Sequence, residues 1–554
     1  MLLGLCALAF LAGLGHPALA DSDEAFYAES AREMIERADW LTPYYNGQTR
    51  FEKPVLYYWM VAVSYVAAGP SAWAARLPSA LSGIGLVFIA FFCARRLYDD
   101  RTALLAGVIT ATSFAAVVMA RQALPDLTLA FFVSLATWTA LVGLRGDTSG
   151  AGHWRRRTWL LAAACAAAAA FLVKGPVGPA LIALVVASVA LAERWRNGSW
   201  WRVRAVDVLL AALAFALVAV PWYAAMAAEH GVAYLERFFF AENLERFATA
   251  RYNEPRPVWY YLPIVAGGML PWSPFMLLWI PALRNAWRKR QADARVILLA
   301  VWASAPLVLY TASVGKQPRY ILPMLVPLAI LLARNIARAL DASPAPRLFS
   351  IAGGAAGALI VLMGGLLYRA RPLLFEWTDA VTIAVAGGIV LTGGAVVVTS
   401  ASLLARPLAL ARGRPVPALI ALASVVIAVG AHVVVIASPG PAPVERMAAM
   451  LLDARPAGEP YGRHRVFDRN LLFYTGAAHV ELPIIESVRD FLRSPERVLC
   501  VLRADDAARL ERSGVSLRRL GEVSYLNTGN LNPRTLLHPD PDRYVLRVVL
   551  VANR

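Results

Sequence analysis

Long apolar runs separated by short charged segments make up most of the chain. The first run covers residues 2–19 and holds no Lys, Arg, Asp or Glu. Comparable runs follow at 79–95, 103–120, 127–144, 159–173, 177–191, 206–227, 259–280, 296–314, 320–333, 350–367, 380–403 and 416–436. Each is near the ~20 residues that an α-helix needs to cross a bilayer, so the pattern predicts about thirteen transmembrane helices in residues 1–439. From about residue 440 the pattern changes. Alternating β-like runs at 498–502 and 544–551, with a helical stretch at 504–512, predict a small soluble α/β domain over 440–554. The Gly/Ala-rich stretches 353–365 and 387–394 lie inside apolar runs, which points to close helix packing and away from nucleotide loops.

Composition agrees with that fold class. The 554 residues are 59% hydrophobic and 16% charged, and the mean hydropathy is +0.54. A soluble domain is nearer a quarter charged. The net charge of +17 would suit nucleic acid, but its distribution excludes that partner. Most of the arginine sits in alternate short loops, as the positive-inside rule requires. Arg95, Arg96 and Arg101, then Arg155–Arg157, Arg194–Arg204, Arg284–Arg290, Arg334–Arg347 and Arg406–Arg414 mark the cytoplasmic loops. The opposite set comprises 21–78, 121–126, 174–175, 229–258, 315–319 and the tail, and is expected outside, periplasmic in a diderm cell. The four cysteines, Cys6, Cys93, Cys165 and Cys500, show neither a disulfide pattern nor metal-knuckle spacing. Ala18-Leu19-Ala20 looks like a signal-peptidase site, but no basic residue precedes the apolar run, so the first helix is expected to be retained.

The outer loop 21–78 is far longer than ordinary connections. It contains a charged helical stretch at 30–38, and Glu29, Arg32, Glu33 and Glu36 at helical spacing suggest a solvated, salt-bridged face. It also contains an apolar stretch at 55–68 with Tyr57, Tyr58, Trp59 and Tyr65, too short to span and suited to the membrane surface. Directly behind the first run stand Asp21, Asp23 and Glu24, and Asp23 and Glu24 are expected to end the first helix. Asp126 follows at the outer start of the fourth helix and Lys174 at the outer end of the fifth. Lys316 and Arg319 lie between the ninth and tenth, and Arg50, Glu52 and Lys53 on the long loop. One such residue alone is ordinarily an interfacial anchor or a cap. Five segments placing both signs of charge at one membrane depth point to a site. Carboxylates can activate a hydroxyl, position an amine or ligate a divalent ion, and lysine and arginine hold phosphate esters. In a membrane, the phosphate belongs to a lipid.

The segments Asp-Glu-Ala-Phe-Tyr-Ala-Glu-Ser-Ala-Arg-Glu-Met from Asp23, Trp-Leu-Thr-Pro from Trp40 and Phe-Glu-Lys-Pro-Val-Leu-Tyr-Tyr-Trp from Phe51 resemble the first periplasmic loop of the aminoarabinose lipid A transferases. These are GT-C membrane glycosyltransferases related to protein O-mannosyltransferases. Arg-Gln-Ala-Leu-Pro-Asp ending at Asp126, Val-Lys-Gly-Pro-Val-Gly around Lys174 and Gly-Lys-Gln-Pro-Arg-Tyr-Ile-Leu-Pro from Gly315 resemble further blocks. The likeness covers residues 1–338; beyond them it is one of topology.

The resemblance implies an undecaprenyl phosphate donor carrying 4-amino-4-deoxy-L-arabinose, a lipid A phosphate as acceptor, and polymyxin resistance as the outcome. It implies Asp23 as the main catalytic acid residue and Asp126 as a second essential carboxylate. Glu52 and Lys53 would line the cavity, and Lys174, Lys316 and Arg319 would hold the donor phosphate. Glu24 and Tyr27 beside Asp23, and Tyr320 beside Arg319, are expected to contact substrate. No cofactor is required, although a divalent ion near the acids stays open, and the chain is expected to act as a monomer in the bacterial inner membrane. Two alternatives remain. One is another GT-C enzyme with a different sugar or a protein acceptor. The other is a transporter, disfavoured because the acids lie at the outer surface and no inverted repeat is visible.

Overall fold

The apolar runs form helices, and the places where they break carry residues that break them. The computed structural model of the chain describes residues 1–146, 152–198, 200–249, 255–281, 283–284, 293–342, 346–373, 379–405, 415–436, 441–456, 458–526, 535 and 537–554. Among them are nine helices long and apolar enough to cross a membrane, or up to eleven if each of two bent pairs is one span. The helices Leu2–Leu11 and Pro415–Ile436 fall on the two remaining predicted runs. The basic residues Arg288, Lys289, Arg290, Arg406, Arg412 and Arg414 and the boundary at residue 440 lie outside the described residues.

Three runs need correction. The first helix ends at Leu11, because Gly13, Gly15 and Pro17 follow. Gly13 takes a φ of +61°, and Pro17 has no N–H to continue a helix. The backbone groups freed there are not wasted: Arg76 donates to the carbonyls of Leu14, Pro17 and Ala18 at 3.0, 2.7 and 3.1 Å. The run at 103–120 bends by 57° between Asp100–Thr112 and Phe114–Ala120, and that at 259–280 bends by 111° between Val258–Gly268 and Ser273–Pro281. The two breaks answer each other. Phe114 N–H donates to the Leu270 carbonyl at 2.9 Å, and Trp272 Nε1 donates to Thr112 Oγ1 at 2.9 Å. Backbone opened within a membrane needs such protein partners. A fourth change is smaller: the helix expected from Ser79 begins at Ala72, where Ser71 Oγ accepts from Ala74 N–H at 3.2 Å.

The small-residue stretches pack as predicted. The helices Arg347–Ala370 and Asp379–Ala405 approach so closely that a Cβ on Gly357 would lie 2.8 Å from the Gly393 carbonyl oxygen. Gly357→Val is therefore expected to lower stability by about 1–3 kcal/mol. A thermal melt of the detergent-solubilised protein checks this; an unchanged Tm would rule out the close crossing.

The acids behind the first run do not end a helix, as the sequence suggested; they begin one. Asp23 and Glu24 form the first turn of Asp23–Glu36, where Ser22 Oγ accepts from Glu24 N–H at 3.3 Å. The predicted ion-paired face is present: Arg32 reaches Glu29 at 2.5 Å and Glu36 at 3.1 Å. It is not solvated throughout, since Glu29 and Glu33 are buried. Helix Leu56–Ala68 packs beneath, burying Tyr57, Tyr58 and Tyr65 and leaving Val63 and Val66 exposed, the apolar outer face expected of a membrane-surface helix. Between these helices lies a small hairpin of strands Tyr44–Tyr45 (β1) and Gln48–Thr49 (β2).

The C-terminal region forms a five-stranded mixed sheet from Tyr461–Arg463 (β3), Val480–Glu481 (β4), Leu499–Arg503 (β5), Arg518–Leu526 (β6) and Val545–Ala552 (β7). The order is β4-β3-β5-β7-β6, parallel among the first three strands and antiparallel thereafter. Alternation along β5 splits the core between two faces. Leu499 and Val501 join Met447 and Leu451 on one face, and Cys500 and Leu502 join Val488 and Leu510 on the other.

Candidate active site

Chain segments distant in sequence meet at Asp23. Its Oδ2 accepts from Arg319 Nη2 at 2.7 Å and its Oδ1 from Arg469 Nη1 at 2.8 Å. Arg319 stands on the 3-10 turn Pro318–Met324, and Arg469 precedes the short helix Leu471–Thr475 of the C-terminal region. Asp126 occupies the first turn of Pro125–Leu144, with Pro125 at the opening position. It accepts from Lys174 Nζ at 2.5 Å, and Arg319 Nε lies 3.3 Å from its other oxygen. One guanidinium thus bridges two carboxylates. Lys174 is the last residue of Gly152–Lys174, stopped by Gly175 at a φ of +74°, and its ammonium sits 4.5 Å from the centre of the Tyr320 ring.

These charges fix the state of Asp23. Burial would raise its pKa, but the Arg319 hydrogen bond and the charges of Arg319, Arg469 and Arg50 outweigh that and hold the carboxyl below the usual range. Asp23 is an ionised carboxylate, weak as a base at neutral pH.

A second group of cations lies alongside. A cavity of about 70 Å³ is lined by Lys53, Lys174, Arg246, Glu242, Tyr310 and Tyr320, among others. Lys53 donates to the carbonyl of Glu52 at 2.8 Å. Burial, reinforced by the nearby Arg246 and Lys174, pushes its ammonium down to about 7. Arg246 is tied to Glu242 at 2.9 Å. On the other side of Arg319 an apolar groove of about 590 Å³ runs between the two broken spans. Phe114, Met119, Ile264, Leu328 and Met363 line it, and Arg319 is its one charged lining residue among the described residues.

Of the residues expected at a site, Asp23, Asp126, Lys174, Arg319 and Tyr320 come together, and Lys53 lines the adjoining cavity. Tyr27 is buried against Tyr57 and Tyr58, with ring centres 5.4 and 5.2 Å away. Glu52 lies 3.5 Å from Arg50. Glu24 does not serve as expected. Both of its oxygens are taken, by Arg76 at 2.7 and 3.1 Å, by Ala123 N–H at 2.8 Å and by Ala20 N–H at 2.9 Å. With 1% of its surface exposed, Glu24 braces the fold and has no oxygen left for substrate. Lys316 is likewise turned inward, its buried ammonium donating to the Ser313 carbonyl. Sequence reasoning missed Arg469, Arg246 and Glu242. The signal for Arg469 was an arginine cluster, Arg463, Arg465 and Arg469, in the tail that the loop charges predict to lie outside, where the positive-inside rule expects few. Among the described residues no three His, Cys, Asp or Glu side chains gather as metal ligands; Asp23 and Asp126 are each paired with side-chain cations instead.

Comparison with known proteins bears on this arrangement. Residues 17–231 match the family described as dolichyl-phosphate-mannose-protein mannosyltransferase. The undecaprenyl phosphate-alpha-4-amino-4-deoxy-L-arabinose arabinosyl transferase of Pseudomonas aeruginosa PAO1 is 34% identical over 345 residues, 61% of this chain and 60% of that protein. The protein of the same name from Edwardsiella ictaluri is 33% identical over 319 residues, 57% of this chain and 55% of its own. The matches thus span under two thirds of these relatives. The crystal structure of ArnT from Cupriavidus metallidurans bound to undecaprenyl phosphate aligns with a TM-score of 0.76 at 24% identity, covering 100% of this chain and 97% of that one. Its apo form gives 0.73 at 23% identity with the same coverage. The chain has the GT-C fold. In this GT-C protein the acidic helix, the broken spans and the C-terminal sheet all fall within the part covered by that alignment.

Proposed function

We propose that the chain transfers 4-amino-4-deoxy-L-arabinose from undecaprenyl phosphate to a phosphate of lipid A, on the periplasmic face of the bacterial inner membrane. The supporting observation is the junction at Arg319. An apolar groove suited to a polyprenyl chain and two ion-paired acids meet there, and a cavity of lysines and arginine suited to its phosphate adjoins them through Lys174 and Tyr320. The names of the arabinosyl transferase relatives supply the sugar and the carrier.

In the proposed reaction an oxygen of the acceptor phosphate forms a bond to C1 of the sugar. The bond from C1 to the undecaprenyl phosphate oxygen breaks, and its electron pair leaves with that phosphate. Lys53, Lys174 and Arg246 stabilise the charge that develops on the leaving group. Asp126 holds Lys174 and Arg319 in place. The acceptor phosphate is already anionic, so no base is needed. Asp23, held ionised, positions the reactants and pairs with the ammonium group of the sugar. In this reading the chain acts as a monomer, and residues 440–554 act as a periplasmic domain above the site. The product carries an added amine that masks lipid A charge, the basis of polymyxin resistance.

A second reading, transfer to a protein hydroxyl, is favoured by the mannosyltransferase match over residues 17–231. It asks Asp23 to act as a base, against the arginines that depress its pKa. Mass spectrometry separates the two in a deletion strain complemented with this gene. Aminoarabinose on lipid A is the expected result; unmodified lipid A beside newly glycosylated protein would reverse the assignment.

Lys53 supplies a pH test. Its ammonium titrates near 7 in the free protein, and a phosphate beside it raises that value. Donor affinity is therefore fully present below neutrality and falls as pH rises through the bound-state pKa. Undecaprenyl phosphate binding measured from about pH 6 to about pH 9 is expected to weaken for the wild type relative to Lys53→Ala. The phosphate's own ionisation cancels in that ratio. Parallel pH profiles would remove Lys53 from the donor site.

A further inference from the structure

We propose that Arg469 is the anchor for the acceptor's phosphate and so selects an anionic lipid headgroup over a neutral hydroxyl; this rests on the transferase reading above. Arg469 is the most exposed cation on the two acids. Its side chain is 40% exposed, against 12% for Lys174 and 26% for Arg319. Its guanidinium makes one hydrogen bond, from Nη1 to Asp23, and stacks 4.8 Å from the Phe26 ring centre. Its Nε and Nη2 donors have no hydrogen-bond partner among the described residues. A fork with spare donors at an aqueous mouth matches two oxygens of a phosphate.

The backbone beneath Arg469 is fixed in a way that a surface arginine does not need. The Asp21 carboxylate accepts from the N–H groups of Asp468 and Arg469 at 2.9 and 2.6 Å. Tyr45 donates to the Arg469 carbonyl at 3.1 Å, and Asn470 Nδ2 donates to the Leu19 carbonyl at 3.0 Å. The loop just before it holds Arg465 and Phe467 at φ of +51° and +48°, a conformation that costs energy in non-glycine residues. Asp21, whose role the sequence left open, is thus the seat on which the C-terminal region presents Arg469.

Charge arithmetic assigns the side. Lys53, Lys174 and Arg246 line the donor cavity, and Arg319 alone already pairs with Asp23. Without Arg469, the two acids are matched by Arg319 and Lys174 and no cation is left over for an arriving phosphate. With it, the phosphate shares the guanidinium and is held beside the carboxylate. The attacking oxygen forms its bond to C1 while the others stay on Arg469, and no proton moves. A neutral hydroxyl would gain nothing from this residue.

The test uses the full chain in detergent micelles with three ligands: phosphorylated lipid A, dephosphorylated lipid A and undecaprenyl phosphate. Arg469→Ala is expected to bind phosphorylated lipid A about tenfold more weakly, converging on its affinity for the dephosphorylated form. Undecaprenyl phosphate binding is expected to stay at the wild-type value, and Arg469→Lys to recover part of the loss. In transfer assays the loss is expected in acceptor KM and not in kcat. A retained phosphate preference in Arg469→Ala, or an equal loss for undecaprenyl phosphate, would overturn the proposal. A wild type that prefers phosphorylated lipid A but transfers no aminoarabinose to it would instead defeat the transferase reading, and loss of that preference in Arg469→Ala would then mark Arg469 as a phosphate-binding residue without an acceptor role.

Discussion

Asp23→Asn is expected to reduce transfer by about a thousandfold or more while the protein still folds and inserts. The amide keeps the size and the acceptor oxygen of the carboxylate but removes the charge that Arg319 and Arg469 share. Arg469 would then stand with no carboxylate to balance it, and in the proposed reaction the sugar's ammonium group would lose its partner. The folded state tolerates the change because Arg319 keeps Asp126 at 3.3 Å. The depressed pKa of Asp23 also sets the pH dependence. A carboxylate shifted downward is ionised at and above the usual range, and its contribution is lost only as pH falls through the lowered value. The acid limb of the wild-type profile is expected below the ordinary aspartate range, and Arg469→Ala or Arg319→Ala should move it up. Initial rates with purified donor and lipid A check both points; near wild-type turnover in Asp23→Asn would remove Asp23 from the chemistry.

Arg76→Ala is expected to cost about 3–5 kcal/mol of stability, the largest loss of any single substitution considered. Arg76 and Glu24 are 3% and 1% exposed and paired at 2.7 Å. Arg76 also satisfies three carbonyls of the segment that leaves the first helix. Removing it strands a buried carboxylate and three acceptors together. Glu24→Gln should cost less, since the amide oxygen still accepts from Arg76. Folded yield in the membrane fraction and the Tm of whatever survives are the readouts. A stable Arg76→Ala protein with lowered transfer would mean instead that Glu24 and Arg76 serve substrate. The contrast with Asp23 is sharp because the two acids are adjacent in sequence: Asp23 serves the proposed chemistry, and Glu24 with Arg76 serves the fold.

The hydrophobic pattern by itself determined the membrane-embedded helices, the C-terminal change to alternating strands and the small-residue crossing at Gly357 and Gly393. Burial of apolar surface in lipid is local and periodic, so a run of side chains suffices to read it. The same reasoning could not see that the first helix stops at Leu11 or that two spans bend, because those breaks are stabilised by partners remote in sequence: Arg76 for one, and Leu270 with Thr112 for the others. Charge type and position were legible too, and they brought Asp23, Asp126, Lys174 and Arg319 to one end. Which carboxylate faces the site was decided only by tertiary structure. Successive residues on a helix point about 100° apart, so Asp23 meets Arg319 and Arg469 while Glu24 turns inward to Arg76. Arg469 lies 446 residues from Asp23. No local pattern encodes that pairing; it exists because the C-terminal sheet seats its loop on Asp21.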